Sequence, residues 1–407
     1  MFEPTSHEHN LLARASLDSC VKCTICETQC PVMAVTPLFP GPKFVGPQAE
    51  RYRHGESVDH SIDYCSSCGT CTLVCPQGVK IAELNSAARA AMKKDHMPLR
   101  DQLISRTTLM GKAMTPVAPV ANAVLGMAPA RWAMEKFIGI HHNAAMPTAR
   151  SQTFAGWWKK HTPPTSSTRG KVVFFHGCAG QYFEVETSIK TVEVFEHLGY
   201  EVVVPEQGCC GLALQSNGIF DTARKYVRHL SDQLNIEPGT PIIASAASCA
   251  GMLKHEAREI MGVDDPTVTA IGARVRDVSE FLLDLANNNE LPLDFKPINL
   301  TVAYHAPCQL KGQGMGKPAL ELLKLIPGLT VVDAEATCCG IAGTYGFKTE
   351  KYDIGQAIGK PLFDKVKEVN PELAVCDTET CRWQIAKSTG ATVVHPVWLI
   401  HKAYGLS

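Results

Sequence analysis

Two runs of four cysteines with one spacing stand near the start of the chain. They are Cys20-x2-Cys23-x2-Cys26-x3-Cys30-Pro31 and Cys65-x2-Cys68-x2-Cys71-x3-Cys75-Pro76. In the bacterial ferredoxin run of this spacing, three thiolates wrap the corners of one iron–sulfur cube and the fourth cysteine reaches the neighbouring cube. The runs therefore predict two [4Fe–4S] clusters, one on Cys20, Cys23, Cys26 and Cys75 and the other on Cys65, Cys68, Cys71 and Cys30. Crossed ligation of this kind holds two clusters close together, as rapid electron hopping requires. Zinc is the weaker reading, because zinc sites use pairs of ligands rather than runs of four with a trailing proline. The 34 residues between Cys30 and Cys65 exceed what a minimal ferredoxin needs. After Cys75, Val79, Ile81, Leu84, Ala88 and Met92 keep a helical period. A helical two-cluster domain over residues 1–96 is predicted, rather than the compact sheet form.

The chain holds 17 cysteines, an odd and clustered set. Its opening, MFEPTSHEHNLLARASLDSC, lacks the basic patch and apolar core of an export signal. A reducing compartment is expected, where such cysteines serve metal or redox chemistry rather than disulfides. A net charge of -1 leaves no global field to draw the chain to nucleic acid. The 407 residues suffice for two to four domains with buried cores.

Residues 97–168 hold no cysteine and end in HTPPTSSTRG, a linker by composition. An internal repeat follows, with domains predicted over residues 169–297 and 298–407. KVVFFHGC opens the first copy and LTVAYHAPC the second, ending at Cys178 and Cys308. Thirty residues separate Cys178 from Cys209-Cys210-Gly211, and twenty-nine separate Cys308 from Cys338-Cys339-Gly340. A third station is Cys249 in copy one, and Cys376 with Cys381 in copy two. Short apolar runs at 171–175, 201–204 and 241–244, and again at 300–304, 329–332 and 373–375, read as buried strands. Val185, Ile189, Val192, Phe195 and Leu198 keep a helical period between the first two. Alternation of strand and helix implies parallel sheets, so the whole chain is predicted as a multidomain α+β protein. Every cysteine station then lies just past a strand's C-terminal end, where open α/β sheets place ligands. The thiols converge on one site per copy, or on one between the copies.

Adjacent cysteines suit a multi-iron cluster better than one tetrahedral ion, and Gly211 and Gly340 let the backbone approach closely. Buried structural cysteines, vicinal disulfides and a catalytic thiol are the competing explanations. His176 and His305 precede Cys178 and Cys308 by two and three residues; each is a candidate ligand or a core histidine. Gly312, Gly314 and Gly316 do not form a dinucleotide fingerprint, so neither FAD nor NAD is expected on this chain. A carrier without a hydride acceptor needs a dehydrogenase partner.

Ala113 to Ala130 is an 18-residue uncharged stretch broken by Pro116, Pro119 and Pro129. Prolines interrupt the ladder a lone spanning helix must complete in lipid. A bent, buried hairpin, a membrane-surface segment and a true span are the alternatives, in that order. Trp132, Met134, Phe137 and Ile138 would form an apolar face, with Arg131 and Lys136 placed for anionic headgroups.

These motifs resemble the proteins that join a two-cluster ferredoxin domain to paired cysteine-rich "CCG" domains. Such proteins include subunits of heterodisulfide reductase, glycolate oxidase and lactate-utilisation complexes. CVKCTICETQCPV, FPGPKFVGPQAERYR, YCSSCGTCTLVCPQGVKI, TTLMGKAMTPVAPV, FFHGC, CCGIAGTYGFK and CRWQI narrow the likeness to the C-type subunits of anaerobic glycerol-3-phosphate dehydrogenases. The resemblance implies a non-catalytic electron carrier and membrane attachment for A- and B-type flavoprotein subunits. Those partners oxidise glycerol 3-phosphate, and electrons continue to menaquinone at the cytoplasmic face of the inner membrane. It further implies candidate cluster or redox ligands at Cys178, Cys209, Cys210 and Cys249, and at Cys308, Cys338, Cys339 and Cys381. The fullest CCG pattern ends in Cys-x-x-Cys, whereas Ala246 and Thr378 stand at the first of those positions here. Non-cubane, cubane and mixed sites are all left open, and direct heterodisulfide reduction is disfavoured. An oxidoreductase for glycolate, lactate or a heterodisulfide is the alternative, and a zinc-bearing docking module the third.

Overall fold

The computed structural model describes residues 14–50, 59–94, 97–164 and 167–406. Outside them lie most of the opening segment read for an export signal, the last three residues of FPGPKFVGPQAERYR, the boundary at residue 96 and two linker residues.

In the N-terminal domain each cysteine run coils into a single helical turn, Ile25–Thr28 and Thr70–Leu73. The residues flanking the second cysteine of each run share left-handed φ: Lys22 at 59° and Thr24 at 69°, Ser67 at 55° and Gly69 at 79°. That kinked path brings cysteines two residues apart onto one concave side. A helix at Ile81–Lys93 braces both turns, with Ile81, Leu84 and Ala88 buried. No strand occurs among the described residues of this domain.

The C-terminal half contains two four-stranded sheets of one topology. Strands β1 (Lys171–Phe175), β2 (Glu201–Val203), β3 (Ile242–Ala244) and β4 (Val275–Asp277) lie in the order β2-β1-β3-β4, all parallel. Strands β5 (Leu300–His305), β6 (Leu329–Asp333), β7 (Leu373–Cys376) and β8 (Val393–Val394) repeat that order. Six strands coincide with the apolar runs to within a residue at each end. β4 and β8 were not read from sequence: they are three and two residues long, and Arg276 and Asp277 interrupt the apolar run of β4.

Side-chain alternation divides each sheet between two cores. Val172, Phe174 and Ile243 meet Val302, Tyr304 and Val375 in a core shared by both repeats. Val173, Phe175, Ile242 and Ala244 face the opposite way, toward Cys210 and Cys249. Helix Val185–His197 packs on Pro396–Ala403, and helix Val278–Asn287 on Pro318–Leu323. The first crossover helix of each repeat thus packs on the last helix of the other, a pseudo-twofold pairing. Side chains such as Phe195, Leu282, Leu322 and Ile400 contribute about 1.5–3 kcal/mol each through burial.

Between the halves, helix Thr107–Met114 docks on Gly177–Tyr182, where Gly111 lies against the Tyr182 ring. Helices Ala118–Gly126 and Ala128–Ile138 follow, with Pro119 and Pro129 in first turns that need no amide donor. The Thr107–Gly126 and Ala128–Ile138 arms meet at 88°, and no single helix among the described residues is long and apolar enough to cross a membrane. The stretch is bent but not buried: Val120 is 64%, Trp132 60% and Phe137 81% exposed. Small residues, Gly111 and Ala118, form its inner side, which leaves the large apolar ones outside. Arg131 does not point to solvent as the sequence suggested. It is buried and donates to the carbonyls of His142 and Ala144 at 2.7 and 2.5 Å. Met134 likewise turns inward, against the second repeat's core.

Candidate iron–sulfur sites and the thiol chamber

The N-terminal thiols gather into two groups. Cys26 has Cys20, Cys75 and Cys23 as its thiol neighbours, and Cys71 has Cys68, Cys65 and Cys30. A cavity of about 20 Å³ is ringed by Cys30, Cys65, Cys68 and Cys71. Burial pushes the Cys26 thiol up to about 11 and the Cys30 thiol up to about 12. Such crowded thiolates need local positive charge, which the irons of a cluster would supply. Backbone amides already aim at the sulfurs: Ser67 donates to Cys65 Sγ at 3.5 Å and Val79 to Cys75 Sγ at 3.4 Å. Donor set, cavity and amides fit [4Fe–4S] clusters.

Each repeat collects its cysteines at three stations around its strands' C-terminal ends, most of them in short helical segments or the loop of the Cys–Cys pair. In copy one, Cys178 and Cys209 lie 3.6 Å apart and Cys210 and Cys249 3.4 Å apart. In copy two, Cys339 and Cys381 lie 3.0 Å apart, Cys308 contacts Cys338, and Cys376 contacts Cys381. Gly211 and Gly340 carry φ of 79° and 80°, which turns their amides back onto Cys209 and Cys338 Sγ at 3.4 and 3.3 Å. Hydrogen bonds from Cys178, Cys210 and the Gly211 amide hold Cys209 well below the usual thiol range; Cys308, Cys339 and the Gly340 amide do the same for Cys338.

Both groups open on one chamber of about 140 Å³, lined by every station cysteine except Cys376 and by Cys68 of the N-terminal domain. Cys68 lies within electrostatic reach of Cys308 and Cys338. Glu256 and Glu379 also line the chamber, and burial favours their protonated forms, Glu256 rising to about 7. The thiols, amides and enclosed space suit further iron–sulfur sites.

The two histidines have different environments. His176 packs between Phe154 and Phe174 and shares a 2.8 Å hydrogen bond with the Gly177 carbonyl, as a satisfied core histidine does. His305 is buried beside Cys339 and Cys381 with neither ring nitrogen hydrogen-bonded. Their spacings differ, two residues before Cys178 against three before Cys308, and strand register agrees: His305 aligns with Phe175 and not with His176.

A surface groove of about 870 Å³ runs beside the chamber, between the bent helices and the second repeat. Trp132, Glu135 and His142 line it, and Met146, Pro147 and Trp383 line groove and chamber alike. Glu184 of copy one fixes that wall, accepting from Arg382 at 2.8 Å and from Trp383 at 2.7 Å.

Residues 16–79 match the 4Fe-4S dicluster domain, and residues 172–254 and 302–386 each match the cysteine-rich domain of the CCG type. The C-type subunit of the anaerobic glycerol-3-phosphate dehydrogenase of Escherichia coli (strain K12) is 36% identical over 95% of this chain and 98% of its own length. The B-type subunit of the fumarate reductase (CoM/CoB) of Methanothermobacter marburgensis is 27% identical, over 91% of this chain and 68% of its own. The D-type subunit of the dihydromethanophenazine:CoB–CoM heterodisulfide reductase of Methanosarcina barkeri is 25% identical, over 96% and 95%.

Proposed function

The chain belongs to the family of the C-type subunits of anaerobic glycerol-3-phosphate dehydrogenases, and on that premise we propose that it carries electrons from flavoprotein partners to menaquinone and attaches them to the membrane. In this reading the chain is not itself the dehydrogenase. The glycerol 3-phosphate site belongs to the partners, and the complex works at the cytoplasmic face of the inner membrane. Clusters bound at these thiols would supply reversible one-electron carriage. We assign Cys20, Cys23, Cys26 and Cys75 to one cluster and Cys65, Cys68, Cys71 and Cys30 to the other. The station cysteines of each repeat hold a further site.

The observation that carries this reading is the closeness of Cys68 to Cys308 and Cys338. Through it the thiol groups form one series from the N-terminal domain into the chamber shared by both repeats. At the outer end, Cys23 is exposed and flanked by exposed Val21 and Ile25, a patch suited to a flavoprotein. At the inner end, Met146, Pro147 and Trp383 line both chamber and groove. The groove's helices carry Val120, Trp132 and Phe137 outward with Lys112 and Lys136, the pattern of a segment lying on anionic lipid.

Reconstitution with the flavoprotein subunits in menaquinone-containing vesicles tests this. Glycerol 3-phosphate should reduce the quinone only when this chain is present. Trp132→Ser with Phe137→Ser should release the complex from vesicles while leaving its iron content unchanged. Quinone reduction by the flavoproteins alone would refute the carrier role. The alternative, an oxidoreductase acting on glycolate, lactate or a heterodisulfide, draws on the two thiol groups facing one chamber. Disulfide reduction by the isolated, reduced chain would favour it.

A further inference from the structure

The two repeats place chemically different side chains at one equivalent pair of positions. Parallel register sets Phe175 on β1 against Ala244 on β3, and His305 on β5 against Cys376 on β7. In each copy the first of these lies three residues before the opening station cysteine, and the second five residues before the closing one. Copy one therefore backs its thiols with a phenyl ring and a methyl group. Copy two offers an imidazole and a thiol in the same places.

His305 is 2% exposed, and neither Nδ1 nor Nε2 has a hydrogen-bond partner. A buried polar ring without partners is costly, so its missing partner is a group that the finished site supplies. One of its ring nitrogens lies with the sulfurs of Cys339 and Cys381 inside a span of 4.8 Å. His176, one position further along in copy one, already has the Gly177 carbonyl and packs among aromatic rings.

We propose that His305 is an iron ligand of the second repeat's cluster, which makes that site a mixed thiolate and imidazole centre while the first repeat's is all thiolate. This rests on the reading that the second repeat holds a cluster. The bond uses the lone pair of one ring nitrogen; the other nitrogen keeps its proton, and no electron changes hands. A neutral donor in place of an anionic one raises a cluster's reduction potential, as in two-histidine iron–sulfur centres. The two repeats would then be unequal relays.

The test is pulsed EPR of the reduced, anaerobically purified full-length protein, with iron counted on the same sample. A strongly coupled imidazole nitrogen is expected in the unmodified chain and in Cys376→Ser, and none in His305→Leu. His305→Cys keeps the iron but not the nitrogen coupling, which separates ligation from misfolding. Clearly more than about eight irons per chain without imidazole coupling would overturn the ligand assignment alone. Only about eight irons would overturn the premise that the repeat bears a cluster.

Discussion

Gly211 and Gly340 offer a comparison inside one molecule. Both follow a paired cysteine and share a left-handed backbone, at φ of 79° and 80°. An alanine in that conformation costs about 1–2 kcal/mol, and either substitution incurs it. Their surroundings differ. A Cβ at Gly211 would meet its nearest atom, the Ala223 carbonyl oxygen, at 3.2 Å, which a small shift relieves. A Cβ at Gly340 would fall 1.8 Å from the Gly355 carbonyl oxygen, backbone against the helix Tyr352–Val369. Overpacking adds typically about 1–3 kcal/mol, and a rigid backbone obstacle belongs at the upper end. The expected losses are therefore about 1–2 kcal/mol for Gly211→Ala and about 3–5 kcal/mol for Gly340→Ala. Thermal unfolding by circular dichroism under anaerobic conditions measures both; at about 2–4 °C per kcal/mol, Gly340→Ala should melt roughly 10 °C low. Because Cys338 and Cys339 move with Gly340, iron should be lost from the second repeat and retained in the first. Equal melting shifts for the two variants would refute the close-approach argument.

Crossed ligation predicts that Cys75→Ser costs about four irons and leaves the EPR spectrum of Cys20→Ser rather than that of Cys65→Ser. Burial, with its neighbour's charge, pushes Asp277 up to about 8, and burial pushes Asp377 up to about 6. The folded state thus binds more protons than the unfolded chain between about pH 4 and 8, so stability should fall as pH rises through that window, by up to about 1.4 kcal/mol per unit for each group. Asp277→Asn should flatten the melting temperature between about pH 5 and 8; an unchanged slope would contradict the assignment. Lys348 is buried between Asp101 and Asn217, donating to them at 2.9 and 2.8 Å. Lys348→Met should cost about 3 kcal/mol, the lower end for a broken buried pair, because Lys93 and Arg100 still reach Asp101. No loss in melting temperature would show the network to be dispensable.

The cysteine runs and the repeat were legible because their signals are local: fixed spacings, short uninterrupted apolar runs, and glycine after paired cysteines. β4 and β8 were not, since Arg276 and Asp277 interrupt the one, the other has two residues, and both pair with a strand distant in sequence. The exposure of the bent helices was misjudged because proline and hydropathy speak of shape and composition, not of which side packs. Gly111 against Tyr182 decides that, a contact between residues 71 positions apart. Arg131 read as a surface cation for the same reason, although three backbone carbonyls hold it inside. Cys376 and His305 look incidental in sequence because their partners lie on other strands and loops. Strand register shows directly that the repeats differ there, in agreement with the spacing to the station cysteines.

The resulting asymmetry extends to how the N-terminal domain is attached. Toward the first repeat it makes an ion pair between Lys80 and Glu259, both about 40% exposed, worth no more than about 1 kcal/mol. Toward the second repeat the ties are buried. Lys351 reaches Asp63 at 2.6 Å, and within the N-terminal half Lys93 holds Asp63 at 2.7 Å and Asp101 of the next segment at 2.9 Å. Against the opposing effect of burial, these lysines hold Asp63 well below the usual carboxylate range, while burial pulls Lys351 down to about 8. Breaking one would strand a buried charge, at about 3–5 kcal/mol. Asp63 stands two residues before Cys65, and Lys348 and Lys351 stand just before the helix that Gly340 abuts. The network therefore joins the backbone of one thiol group to that of the next with few soft links between. A carrier needs its sites held at fixed separation more than it needs them to move. The buried charged tie of the N-terminal domain falls on the second repeat, beside the Cys65 group.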